Sequence, residues 1–178
     1  MKIKIVTLLF LSLAILSCKN EEVKKSEENQ VSNQPIGNDF FVVTLDLVAQ
    51  KDDSFHVFFA EDGSINFTEE NSVWFEFKGS PNSQKMVFNL PKERMPNQLR
   101  FDFGVNKEQG DVKINNIEIT HKGKAFNISG SEFTKYFWPN EASTTIDAAT
   151  QTLKPIKPGV NTSLYPLETL RPELEKLF

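Results

Sequence analysis

Phe41-Val42-Val43-Thr44-Leu45-Asp46-Leu47 is the stretch whose reading decides the fold. Phe41, Val43, Leu45 and Leu47 alternate with Val42, Thr44 and Asp46, so an extended chain here buries one face and leaves the other half polar. The same period of two recurs downstream. Phe55, Val57 and Phe59 share one face of the next run, followed by Val73, Phe75 and Phe77, by Met86, Phe88 and Leu90, and by Leu99, Phe101 and Phe103. From Asp111 to Thr120, Val112 and Ile114 are in phase, but Ile117 and Ile119 are one residue out of step. A bulge near Asn115-Asn116 would keep all four inward. Phe126 and Ile128 suggest one more short strand. Turn-forming residues separate the runs, at Glu61-Asp62-Gly63-Ser64, Gly79-Ser80-Pro81-Asn82, Pro91 to Asn97, Asn106 to Gly110 and Lys122-Gly123. Seven short strands at this spacing predict an all-β domain, an antiparallel sandwich or jelly roll over residues 39 to 178.

Composition agrees. The chain has 178 residues, 39% hydrophobic and 25% charged, which suits one domain with a substantial core. Sixteen residues are Phe against two Tyr and two Trp, a skew toward a core-filling, strand-favouring side chain. Toward the C-terminus the pattern weakens. Glu141 to Pro158 reads as a loop crossing the domain, with a short strand at Thr152-Leu153. Pro166 to Phe178 then places Leu167, Leu170, Leu174 and Leu177 at helical intervals, with Pro172 suited to the first turn, which predicts a short C-terminal helix docked on the domain edge.

The first residues carry a different signal. Lys2 and Lys4 precede an apolar run from Ile5 to Leu16, and small Ser17 stands before Cys18, the one cysteine of the chain. The run is short for a membrane span. Ile15-Leu16-Ser17-Cys18 resembles the lipobox of bacterial lipoproteins. The resemblance implies that residues 1 to 17 are a signal peptide, that the Cys18 thiol carries diacylglycerol, and that the protein is held to a membrane by several acyl chains. Removing residues 1 to 17 takes away two lysines and no acid, so the formal charge moves from -4 to -6. No basic face suggests a nucleic-acid partner. Residues 18 to 38 are rich in Glu, Lys, Ser, Asn and Gln and read as a flexible tether. Within it, Lys19-Asn20-Glu21-Glu22 resembles the acidic export signal of Bacteroidetes-type lipoproteins, which implies an outer-membrane location with surface display. A plain charged linker is the other reading.

No enzyme motif stands out. His56 and His121 are far apart in sequence, and there is no G-x-S-x-G, no H-E-x-x-H and no glycine-rich phosphate loop. Asp52-Asp53 and Glu69-Glu70 are paired carboxylates, the minimum that a glycan-active enzyme needs for glycoside hydrolysis, but adjacent acids in a charged turn are usually just solvated, so catalysis is the lesser reading. Glu61 to Glu70 is rich in oxygen ligands but departs from the calcium-loop pattern, so no metal and no cofactor is assigned. The candidates for ligand contact are aromatics off the core phase: Phe58 and Trp74 on strands, Tyr136 and Trp138 in the irregular stretch Phe133 to Trp138. Flat rings stack on sugar rings, and Arg100, Asp102, Asn89 or Glu76 would hydrogen-bond hydroxyls nearby. The competing reading is that these rings close loops or lie under the C-terminal helix.

The run Phe55 to Phe59, Phe67-Thr68-Glu69-Glu70-Asn71, Leu90-Pro91, Leu99-Arg100-Phe101-Asp102-Phe103-Gly104 and Ile114 to Ile119 resembles the sugar-associated β-sandwich accessory domains of bacterial surface and cell-envelope proteins. That resemblance implies a β-sandwich and carries over no binding residues; the off-phase aromatics are what point to a non-catalytic carbohydrate-binding domain. Docking onto another envelope protein, as an interaction or structural subunit, is the alternative.

Overall fold

The computed structural model describes residues 39–178; the leader, Cys18 and the tether expected over 18–38 lie outside the described residues. The described residues form eleven strands, one short α-helix and two 3-10 turns, Glu69–Asn71 and Phe133–Lys135. The strands are β1 (Val42–Ala49), β2 (Asp53–Ala60), β3 (Ser72–Phe77), β4 (Ser80–Asn89), β5 (Gln98–Phe103), β6 (Val112–His121), β7 (Lys124–Ser129), β8 (Phe137–Pro139), β9 (Thr144–Asp147), β10 (Thr152–Pro155) and β11 (Thr162–Pro166). The helix α1 is Arg171–Glu175.

The strands form an antiparallel β-sandwich. One sheet runs β4-β1-β6-β10-β9, with β7 also paired to β6, and the other runs β3-β2-β5-β11-β8. The predicted inward sets meet between the sheets. Phe41, Val43, Leu45 and Leu47 from β1 and its approach, Phe55, Val57 and Phe59 from β2, Met86 and Phe88 from β4, and Leu99, Phe101 and Phe103 from β5 are all buried in one core. Removing each such side chain from water contributes roughly 1.5–3 kcal/mol, which is why the phase of each strand is fixed.

The predicted bulge in β6 is present. Asp46 faces Asn116 while Leu47 faces Ile114, so Asn115 is the extra residue. Its amide donates to Ser83 Oγ at 2.6 Å. Val112, Ile114, Ile117 and Ile119 consequently all reach the core. The β6–β7 hairpin turns through Lys122 at φ 47° and Gly123 at φ 80°, the positive-φ pair whose twist matches the strands.

Three expectations are corrected. Gly79 to Asn82 is not a four-residue turn, because β4 already begins at Ser80. The chain doubles back at Gly79, where a Cβ would stand 2.3 Å from the Gln50 carbonyl oxygen. Glu141 to Pro158 is not a loop with a single short strand: β9 and β10 pair from Thr152 opposite Asp147 to Pro155 opposite Thr144. Their polar, Thr-rich edges bury only Thr144, Thr152 and Leu153, too little for a clear period. The helix expected over 166–178 is confined to Arg171–Glu175, because Pro166 still belongs to β11. Pro172 does lie in its first turn and Leu170, Leu174 and Leu177 do enter the core, whereas Leu167 is half-buried.

Candidate functional site

The outer face of the second sheet gathers most of the side chains singled out above. On β2 the core takes Phe55, Val57 and Phe59, so Ser54, His56 and Phe58 face outward. Cross-strand register then sets their neighbours. His56 stands opposite Trp74 on one side and Asp102 on the other, and Phe58 stands opposite Ser72 and Arg100. Asp102 faces Ser163 of β11, and Tyr165 of β11 faces Trp138 of β8.

These registers build a continuous run of rings across the sheet. The Trp74 indole stacks on His56 with centroids 3.7 Å apart and planes 20° apart, and His56 meets Phe58 at 3.9 Å. Phe67, from the connection between β2 and β3, joins Phe58 at 6.3 Å to Tyr165 at 6.2 Å, and Tyr165 meets Trp138 at 5.5 Å. The two ends are open, with Trp74 48% and Trp138 38% exposed, whereas His56 and Phe58 are buried beneath their neighbours.

Arg100 sits at the middle of this run. Its guanidinium lies 4.7 Å from the centroids of both the Phe58 and Tyr165 rings. It also donates from Nε and Nη2 to the two Asp102 carboxylate oxygens, at 2.8 and 2.5 Å. The planar fork suits a ring face and a carboxylate together. The segment carrying Phe67 is pinned at its start by Asn97, which accepts from Gly63 N at 3.0 Å and donates to the Glu61 carbonyl at 2.9 Å. Farther along, Glu69 Oε2 comes to 3.7 Å from His56 Nε2, which has no hydrogen-bond partner. Burial holds the His56 imidazole below its usual proton affinity, Glu69 and Asp102 pull the other way, and Arg100 adds to the lowering.

The candidates thus divide. Trp74, Phe58, Arg100, Asp102 and Trp138 share this face, with Glu76 beside them accepting from Ser54 Oγ at 2.8 Å. Tyr136 does not join them: its ring packs edge-on against Phe126 at 5.1 Å as part of the core margin. Asn89 lies at the end of β4 in the other sheet. His56, Phe67 and Tyr165 are partners that the sequence reading missed. His56 shared the outward phase of Phe58 and so carried a signal, whereas Tyr165 lies on a strand whose pattern was too short to recognise.

The other motifs have structural roles. Asp53 is buried and its Oδ1 accepts from the backbone N–H groups of Ser54, Val105 and Asn106 at 2.8, 2.7 and 2.9 Å. Its Oδ2 accepts from Gln109 Nε2 at 3.1 Å, which ties the β5–β6 connection to β2. Asp52 instead pairs with Lys78 at 2.6 Å, and that hydrogen bond holds its carboxyl below the usual range. His121 is buried beside Phe41 and Phe178, with Nδ1 3.1 Å from the Leu177 carbonyl. A cleft of about 400 Å³ is lined by Asp39, Lys92, Glu93, Arg94, Met95, His121 and Lys122, none of which belongs to the ring face. No group of three or more metal-ligating side chains occurs among the described residues.

The ring face presents two open aromatic ends beside hydrogen-bonding groups. Its open indoles offer apolar planes, and the Arg100–Asp102 pair and Glu76 offer donors and acceptors at the same level. No protein-family model, curated protein or solved structure matches the chain.

Proposed function

We propose that this chain is a bacterial envelope lipoprotein, anchored through lipid on Cys18 in the outer membrane and displayed at the cell surface, whose β-sandwich is a non-catalytic carbohydrate-binding module. The lipobox-like Ile15-Leu16-Ser17-Cys18 and the acidic Lys19-Asn20-Glu21-Glu22 support the location. The single observation that carries the binding role is the Trp74 indole, nearly half exposed yet held flat against His56. A ring fixed in this way stacks on a sugar with little loss of rotamer entropy. Arg100, Asp102 and Trp138 extend the same face, whereas Phe58, expected as a contact, is covered by Arg100 and supports the face from below.

The test is glycan-array binding by the native protein and by Trp74→Ala, alongside pull-down from envelope extract. Sugar-dependent binding that falls in the variant supports the reading. Retention of an envelope protein by both forms, with no glycan bound by either, would move the function to the interaction role.

A further inference from the structure

Resting on the carbohydrate-binding reading, we infer that the ligand is a neutral, linear oligosaccharide lying across the strands of the second sheet, with Trp74 and Trp138 as its two end platforms. Geometry sets the length. Trp74 is on β3 and Trp138 on β8, the two edges of the order β3-β2-β5-β11-β8. Four inter-strand steps and an offset of one outward position place them about 20 Å apart, about four pyranose repeats, so a chain of about five rings reaches both indoles. A single sugar would use one indole. Two open indoles at opposite edges, joined by the half-buried rings of Phe67 and Tyr165, form a track that an extended chain occupies along its length.

Charge sets the class. The cations at this face are already committed, Arg100 to Asp102 and Lys78 to Asp52. The carboxylates of Glu69 and Glu76, beside His56 and Ser54, form no close ion pair with Lys or Arg; Lys78 lies near enough to feel Glu76, and burial opposes protonation of His56 beside Glu69. An anionic chain would meet net negative charge, the four acids Asp52, Glu69, Glu76 and Asp102 against the two cations Lys78 and Arg100, whereas a neutral chain finds hydroxyl partners in the same carboxylates and in the outward edge of the Arg100–Asp102 pair.

The experiment is isothermal titration calorimetry of the full chain in detergent. The probes are cello-, manno- and xylo-oligosaccharides of roughly two to six units, with oligogalacturonates of equal length as acidic comparators. In a neutral series that binds, affinity should rise with length and level off at about five units, and Trp138→Ala and Trp74→Ala should each weaken the longer chains about tenfold, a loss of about 1.4 kcal/mol. Trp138→Tyr keeps a ring if the alanine variant melts early, and it should retain most of the affinity. Length-independent affinity, indifference to Trp138→Ala in a folded variant, or tighter binding of oligogalacturonate than of neutral chains would overturn the inference. Length-independent binding lost in Trp74→Ala alone would leave the carbohydrate reading standing, whereas binding of none of the probes would remove both.

Discussion

Trp74→Ala separates a ligand platform from a structural ring by its effect on stability. With Trp74 48% exposed, about half of a side chain of roughly 250 Å² is out of water, near 130 Å², equivalent to about 3 kcal/mol at 25 cal/mol per Å². The alanine methyl keeps part of that burial, so the expected destabilisation is about 2 kcal/mol, below the roughly 3–5 kcal/mol of a fully buried tryptophan. For a domain of this size that is a fall in Tm of about 5–8 °C. Trp74 stacks on His56, whose low proton affinity has burial as its first cause, so removing the indole should let water reach the imidazole and raise its pKa. Differential scanning calorimetry and NMR titration of the His56 ring would measure both effects on one sample. A loss above about 4 kcal/mol would mark Trp74 as a core residue, and an unshifted His56 would show that the indole does not shield it; either result refutes the reasoning.

Further outcomes are expected from other parts of the chain. His56 has a folded pKa below its ordinary 6.5, so the unfolded chain takes up the proton first as pH falls. Its contribution is complete above about pH 6.5 and is lost as pH drops below that value toward the folded pKa. The urea midpoint should therefore fall more steeply between pH 7 and 5 in the native protein than in His56→Phe, and equal slopes would exclude His56 as the cause. On the proposed lipid anchor at Cys18, Cys18→Ala should leave the protein unlipidated and move it from the detergent phase to the aqueous phase on Triton X-114 partition, and unchanged partition would refute the anchor. A chain beginning at Asn38 should unfold in one cooperative transition with β-type circular dichroism and no sensitivity to reductant, since every core residue from Phe41 to Leu177 is retained and no cysteine remains. Failure of that chain to fold would place part of the tether in the core.

The sequence by itself determined the all-β class and the inward phase of β1 to β6, because a period of two is a local property and a slip of one residue would turn a strand's apolar set to water. It also located the β6 bulge, from the phase break between Ile114 and Ile117, and the tight turn at Lys122-Gly123. The three C-terminal leucines that dock were legible for the same reason, even though the helix around them is shorter than their spacing suggested. Phase says which way a side chain points; it does not say which strand lies alongside. Only the tertiary structure decided that β11 inserts between β5 and β8, so that Tyr165 comes to Arg100 and links Trp138 to Phe58 and Trp74 while Tyr136 packs away against Phe126. It also decided that His56 lies under an indole with Glu69 at its edge, since burial of an outward residue depends on what crosses above it. Pairing between strands some sixty residues apart is set by how two whole sheets close their common core, and no local stretch of sequence contains that choice.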